Sequence, residues 1–225
     1  ARRYLLDEGI PPDRIIKSGS HMEEVLNHFM PQIEASPILD ELGLKSKQFF
    51  VVSTHREENV DTPANLQDLL DTLKALVETY DMPVIVSTHP RTRQRLEALG
   101  LDGLDSRIRF LKPFGFFAYI KLQKEAFCIL SDSGTITEEA SLLGLTAVTI
   151  RNAHERPEGM DQGTLIMSGL KSERVLDAVR IVTSQDQAGA VRRVVPDYEG
   201  GLVSQKVLRI VLSYTDFINR TVWSK

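Results

Sequence analysis

The chain has 225 residues, room for one large domain or two small ones. Its 42% hydrophobic and 26% charged residues are an ordinary globular mixture that can bury a core, which excludes a disordered or low-complexity chain. A net charge of −4 argues against a general polyanion binder such as a nucleic-acid protein, while leaving room for one small anion at a local site. No apolar stretch approaches the roughly 20 residues that a membrane span needs, so no membrane partner is expected. The single cysteine, Cys128, lies in the apolar run Ala126–Leu130, where it packs like a small hydrophobe. One cysteine makes no internal disulfide, which fits a reducing, cytoplasmic setting.

The chain opens Ala1-Arg2-Arg3-Tyr4-Leu5-Leu6, without Met and as if inside a helix, so an upstream segment is expected. Arg14–Lys17 reads as a short strand. Phe49–Ser53 is a continuous apolar strand of the kind buried on both faces of a parallel sheet. Thr62-Pro63 supplies a cap and a first-turn proline, and Leu66, Leu69, Leu70, Leu73, Leu76, Val77 and Tyr80 follow at helical spacing. Strands are predicted at Pro83–Ser87, Ile108–Leu111, Phe127–Leu130 and Thr146–Ile150. Helices are predicted from Pro90, over Phe114–Glu125, over Thr135–Leu143 with Gly144 as its left-handed end, and over Lys171–Thr183 and Val203–Arg220. This succession predicts an α/β fold, a doubly wound parallel sheet of Rossmann-like type.

In such sheets ligands sit beyond the carboxyl ends of the strands. Polar clusters fall at four of those ends: Ser53-Thr54-His55-Arg56, Ser87-Thr88-His89-Pro90, Ser131-Asp132-Ser133-Gly134 and Arg151-Asn152-Ala153-His154. Neither a P-loop sequence nor a G-x-G-x-x-G is present. The Ser133-Gly134 turn runs from strand into helix, where free N–H groups favour an anion and glycine lets a phosphate come close. The bland alternative is plain N-capping, with Thr135 and Glu138 as a capping box. Glu139 is either a solvated helix residue or an acceptor for two ribose hydroxyls, a role that suits a carboxylate. His55 is either structural or a donor to a diphosphate oxygen. The five histidines are scattered without ligand spacing, so no metal site is expected. The aromatic turn Lys112–Phe117 is core packing or a wall beside a nucleobase. Arg151–Gly159 is a solvated loop or a charged site wall.

Taken in order, His55-Arg56-Glu57-Glu58-Asn59, Asp132-Ser133-Gly134 through Glu138-Glu139, and Arg151 through Glu155-Arg156-Pro157-Glu158 resemble the UDP-N-acetylglucosamine 2-epimerase family over nearly the whole chain. Thr135 stands where the N-acetylglucosamine enzymes usually carry a second glycine. With Ser87–Thr92 and Ala153–Met160, it is similar to the subgroup that makes UDP-N-acetyl-L-fucosamine for capsule or O-antigen. The resemblance implies the C-terminal half of a glycosyltransferase-B-like pair of domains. Residues 1–45 would lead from a missing N-terminal domain, and 46–225 would form the UDP-binding domain. It implies that His55 and Ser133, with Gly134, touch the diphosphate, that Glu139 holds the ribose, and that Arg56 and Arg151 assist. His55 is the one catalytic residue it assigns to this chain; the groups that move the C2 proton would lie in the missing domain. It implies a homodimer and a UDP-sugar substrate, with no cofactor and no metal. Two other readings stay open: a UDP-sugar glycosyltransferase donor domain, and a non-catalytic UDP-binding module.

Overall fold

The structure is a computed structural model that describes residues 2–56, 59, 62–88, 104–153, 155–189 and 194–225. The folded chain divides into two compact units, residues 29–195 and residues 1–28 with 196–225. The boundary at residue 45 read from the sequence does not coincide with this division.

The larger unit is built on a six-stranded sheet: β1 (Phe50–Thr54), β2 (Val84–Thr88), β3 (Ile108–Leu111), β4 (Cys128–Ser131), β5 (Ala147–Thr149) and β6 (Ile166–Met167). The order is β3-β2-β1-β4-β5-β6 and every pairing is parallel. This is the doubly wound Rossmann order, whose direction reverses between β1 and β4. The helices are α1 (Arg2–Asp7), α2 (His21–Glu34), α3 (Ile38–Leu42), α4 (Pro63–Tyr80), α5 (Phe116–Glu125), α6 (Thr135–Leu143), α7 (Pro157–Asp161), α8 (Ser172–Gln187) and α9 (Val203–Thr221).

Side chains alternate across a strand, so each strand feeds two cores. Phe50, Val52, Val84, Val86 and Leu130 pack with Leu66, Leu69 and Leu73 of α4 and Val175 and Val179 of α8. Phe49, Val51, Ile85 and Ile129 pack with Leu122 of α5 and Ile136 and Ala140 of α6 on the other face. Cys128 is fully buried in the first of these cores, as its apolar neighbours required. Gly144 ends α6 at φ 64°, the left-handed conformation that glycine adopts without a Cβ clash.

Three local expectations are corrected. Arg14–Lys17 forms no strand: Pro12–Arg14 is a 3-10 turn started by proline, and Ile15 extends after it without a ladder partner. Thr62 stands at the N-cap of α4 and Pro63 at its first turn, but Thr62 makes no side-chain cap bond. The Thr135–Glu138 capping box does not form: the N-cap of α6 is Gly134, without a side-chain cap bond, and Glu138 pairs with Arg156. The helix expected from Pro90 lies outside the described residues.

In the smaller unit, Lys17 pairs with Asp197, and the Glu23 carboxylate accepts the N–H groups of Gly200 and Gly201 at 2.8 Å each. Glu24 accepts the N–H of Ser204 at 2.8 Å, satisfying a free donor at the start of α9. No described helix is long and apolar enough to cross a membrane.

Candidate functional site

The strand register aligns the polar ends. Ser53 pairs with both Ser87 and Ser131, and Ser131 with Thr149, so the residues that follow β1, β4 and β5 emerge along one edge. The β1/β4 reversal opens a crevice there, and it is at this point that open α/β sheets take ligands. His55 and Arg56 leave β1, Asp132–Gly134 leaves β4, and Arg151 leaves β5. His89 to Thr92 and His154, named in the sequence clusters, lie outside the described residues, as do Glu57 and Glu58.

A buried carboxylate organises the crevice. Asp132 is fully buried, and its Oδ2 accepts the Thr54 hydroxyl (2.7 Å), the His55 and Arg56 amides (3.0 Å each) and Asn59 Nδ2 (3.0 Å). Its Oδ1 lies 3.1 Å from His55 Nδ1. Burial pushes the carboxyl up, but the donors from His55, the Arg56 amide and Thr54 outweigh it and hold Asp132 below its ordinary value. The same hydrogen bond raises His55 above its ordinary value, against burial and the Arg56 charge. An imidazole held by Nδ1 keeps Nε2 for a ligand, and the raised pKa extends the pH range over which His55 carries a charge. Asn59 also donates to the Ile150 carbonyl at 3.2 Å, tying the β1 loop to the end of β5.

The Ser133-Gly134 turn leads directly into α6. Ser133 donates its amide to Ser131 Oγ (3.1 Å), and its own Oγ accepts the Thr135 amide (3.3 Å) and lies 2.9 Å from Thr135 Oγ1. Gly134 has ordinary helical angles, φ −66° and ψ −28°, so backbone conformation does not call for glycine. Close approach does: a Cβ there would meet Glu155 Oε2 at 2.8 Å. That carboxylate is gripped by Arg151 Nη1 (2.5 Å) and Arg56 Nη2 (2.6 Å), while Arg56 Nε donates to the Asp132 carbonyl (3.1 Å). Arg151, with Arg56 also beside it, holds Glu155 below the ordinary carboxylate value.

Glu139 is buried on α6 and accepts Gln123 Nε2 at 2.7 Å. Burial raises its carboxyl; the hydrogen bonds from Gln123 and Thr135 and the Arg156 charge work against that, and the Glu138 charge adds to it. The Tyr119 hydroxyl lies beside Ser53 and Gln123 and is pushed up to about 12 by burial. Tyr119 and Gln123 are four residues apart and share the inner face of α5.

All six residues marked from the sequence, His55, Arg56, Ser133, Gly134, Glu139 and Arg151, thus stand on one side of the sheet edge or on the first turns of α6. The solvated alternative for Glu139 is excluded by its burial. Of the aromatic turn, Phe116 and Phe117 contact Phe29, with centroids 6.3 and 5.4 Å away. Two site residues, Gln123 and Tyr119 beside Glu139, escaped the sequence, while Asp132 and Arg156 stand in its motifs without the roles they take here, orienting His55 and pairing with Glu138. The Tyr119/Gln123 spacing on an amphipathic helix was the one signal available.

Known proteins share this fold. A family model described as UDP-N-acetylglucosamine 2-epimerase matches residues 1–212. The UDP-N-acetylglucosamine 2-epimerase of Methanocaldococcus jannaschii is 32% identical over 197 residues, 82% of this chain and 52% of that protein. A solved UDP-N-acetylglucosamine 2-epimerase from Rickettsia bellii superposes with a TM-score of 0.92 at 58% identity, over 100% of this chain and 60% of the other. The Methanocaldococcus jannaschii enzyme in complex with UDP-GlcNAc and UDP superposes at 0.83 and 28% identity, over 94% and 58%. The chain spans about half the length of the curated relatives it matches. It belongs to the UDP-N-acetylglucosamine 2-epimerase family.

Proposed function

We propose that this chain is the UDP-binding half of a nucleotide-sugar 2-epimerase, which inverts C2 of a UDP-linked N-acetylamino sugar by losing and re-adding UDP. The observation that carries the reading is the convergence, at the β1/β4 reversal, of three recognition elements. These are His55, fixed through Nδ1 by Asp132, the Ser133-Gly134 turn at the start of α6, and the buried Glu139 carboxylate. Each matches one part of a nucleoside diphosphate: two the phosphates, one the ribose diol. The complex of the Methanocaldococcus jannaschii relative with UDP-GlcNAc and UDP supports a ligand of this class.

The chemistry divides accordingly. When the C1–O bond to UDP breaks, charge gathers on the leaving diphosphate, and preorganised donors stabilise it best. His55 Nε2, the Ser133 hydroxyl, the amides at the start of α6 and the guanidiniums of Arg56 and Arg151 are such donors. C2 loses a proton on one face and regains it on the other, which needs acid–base groups on both sides of the sugar ring. One sheet edge serves one side, so a second domain preceding this one, in a glycosyltransferase-B-like arrangement, would supply the opposite wall. Thr135, in place of a second glycine, favours the UDP-N-acetyl-L-fucosamine type of substrate and a role in capsule or O-antigen precursor synthesis, in a cytoplasmic homodimer.

The test is solvent exchange. In heavy water, the longer two-domain protein should place deuterium at C2 of UDP-N-acetyl-L-fucosamine or UDP-N-acetylglucosamine, followed by NMR. Residues 1–225 alone should bind UDP without exchange. Exchange by these residues alone would overturn the division of labour. Sugar transfer by the two-domain protein without C2 exchange would replace the epimerase by a glycosyltransferase.

A further inference from the structure

We infer that Glu155 is a built-in counter-ion that stands in the diphosphate's place and restricts the site to ligands carrying enough phosphate charge to displace it. The inference rests on the UDP site proposed above and deepens it.

The geometry is specific to one carboxylate. Glu155 Oε2 is shared by Arg151 Nη1 at 2.5 Å and Arg56 Nη2 at 2.6 Å, cations that come from the ends of β5 and β1. The carboxylate also lies against Gly134. From an ideal Cβ on that glycine, Oε2 would be 2.8 Å away, the carboxyl carbon 3.0 Å and Oε1 3.1 Å. A phosphate seated over the start of α6 would need that same contact, because the glycine's bare face is the route by which it approaches the helix donors. The cleft bordered by Ser133, Gly134, Thr149, Arg151 and Glu155 has a volume of about 10 Å³. That is barely one water, so a phosphate over Gly134 competes with the carboxylate for the same space.

Leaving is feasible for Glu155 and not for its neighbours. Its side chain is 45% exposed, whereas that of Arg151 is 10% exposed and that of Asp132 is fully buried. A rotation of Glu155 toward water gives the carboxylate a solvent shell while the guanidiniums stay. Arg56 cannot follow without leaving its support, the Asp132 carbonyl that accepts its Nε–H, and Arg151 is nearly buried. The incoming anion therefore meets two preset cations and replaces a single negative charge. A diphosphate carries more charge than the carboxylate it displaces, and a neutral nucleoside carries none. Glu155 thus competes with every ligand that uses the arginines and leaves uridine contacts untouched. The opposite role, a carboxylate that merely props the arginines in place for the ligand, predicts the reverse effect of removing it.

Isothermal titration of the 225-residue chain with UDP, inorganic pyrophosphate and uridine separates the two. Glu155→Gln keeps the size and removes the charge. UDP and pyrophosphate should bind about tenfold more tightly to it, the scale set by releasing two partly exposed ion pairs, and uridine should bind equally to both chains. Glu155→Asp, which withdraws the carboxylate by one methylene, should act in the same direction and serves if the glutamine variant melts early. Unchanged or weaker UDP binding by folded variants would overturn the counter-ion role alone. Absence of UDP binding to every form would overturn the nucleotide site, and this inference with it.

Discussion

Gln123 Nε2 donates to Glu139 Oε2 at 2.7 Å, joining α5 to α6 through two side chains that are each almost fully buried. Among the described residues Gln123 Oε1 is buried without a hydrogen-bond partner, so the amide is oriented through its nitrogen. A carboxylate offers about four lone-pair sites, so Glu139, held by Gln123 and Thr135, keeps acceptor capacity for a diol.

Removing either member should therefore weaken ribose recognition. Glu139→Gln loses an acceptor and should weaken UDP by about 1–3 kcal/mol, and Gln123→Leu should weaken it by a smaller amount in the same direction. Discrimination between UDP and its 2′-deoxy analogue should narrow in both, measured by titration. Burial raises the Glu139 carboxyl, so folded protein holds that proton more tightly than unfolded chain. Its contribution favours the fold below the ordinary value of 4.5 and is lost as pH rises through the raised value. Gln123→Leu removes a donor that opposes the shift, so the pH below which UDP binding fails should move up. An unmoved pH profile with unchanged deoxy discrimination would reduce Gln123 to packing.

Glu138, next to it, has a different duty. It pairs with Arg156, and its side chain is only 9% exposed. Glu138→Gln should take this charge partner from the guanidinium and destabilise the chain by about 1–2 kcal/mol, less than a fully buried pair because Arg156 is 27% exposed. Thermal melts check this. A loss of UDP affinity with an unchanged melt would mean that the pair belongs to the binding machinery.

Asp132→Asn tests the carboxylate beneath His55. The amide cannot accept from Thr54, Asn59, two backbone N–H groups and His55 together, and its NH2 faces donors. A loss of about 2–4 kcal/mol in stability is expected. His55 should then titrate at lower pH, visible in its imidazole NMR signals. The signs are opposite for the two partners. The raised His55 contributes stability below its ordinary 6.5, lost as pH rises through the folded value; the lowered Asp132 contributes above 3.8, lost as pH falls through its own. UDP affinity of the native chain should decline as pH rises through the His55 value, and in Asp132→Asn that decline should begin at lower pH. An identical pH profile in both would remove His55 from the diphosphate.

Which of these relationships the sequence revealed follows from their range. The apolar runs at Phe49–Ser53 and Phe127–Leu130 and the Gly144 stop are local signals, and the strands and α6 lie where they point, within a residue or so. The polar residues after each strand mark the site because parallel strands end together. Asp132, by contrast, looks like a turn residue until Thr54, His55, Arg56 and Asn59 reach it from 73 to 78 positions away. Gln123 looks like a surface residue of an amphipathic helix until Glu139 meets it. α2 contains Pro31, a residue that ordinarily breaks helices, so its full length is not legible as a local signal. Glu155 carries a charge that any solvated loop carries; only its placement over Gly134 gives it a role.

Gly134 offers the cleanest separation of binding from folding. Its φ of −66° and ψ of −28° suit alanine as well as glycine. Replacing glycine by alanine at a compatible position restricts the unfolded chain and stabilises by about 0.4–1 kcal/mol. The three nearest atoms a new Cβ would meet all belong to the Glu155 carboxylate, the end of a flexible and half-exposed side chain. Gly134→Ala should therefore melt at the same temperature as the native chain or slightly higher. The Cβ would nonetheless project into the space a phosphate needs to reach the α6 amides, so UDP affinity should fall by at least about tenfold, 1.4 kcal/mol. Uridine, which lacks phosphate, should bind as before. A melt lowered by several degrees would mean that the glycine serves the fold. An unchanged melt with unchanged UDP affinity would place the diphosphate elsewhere along the sheet edge.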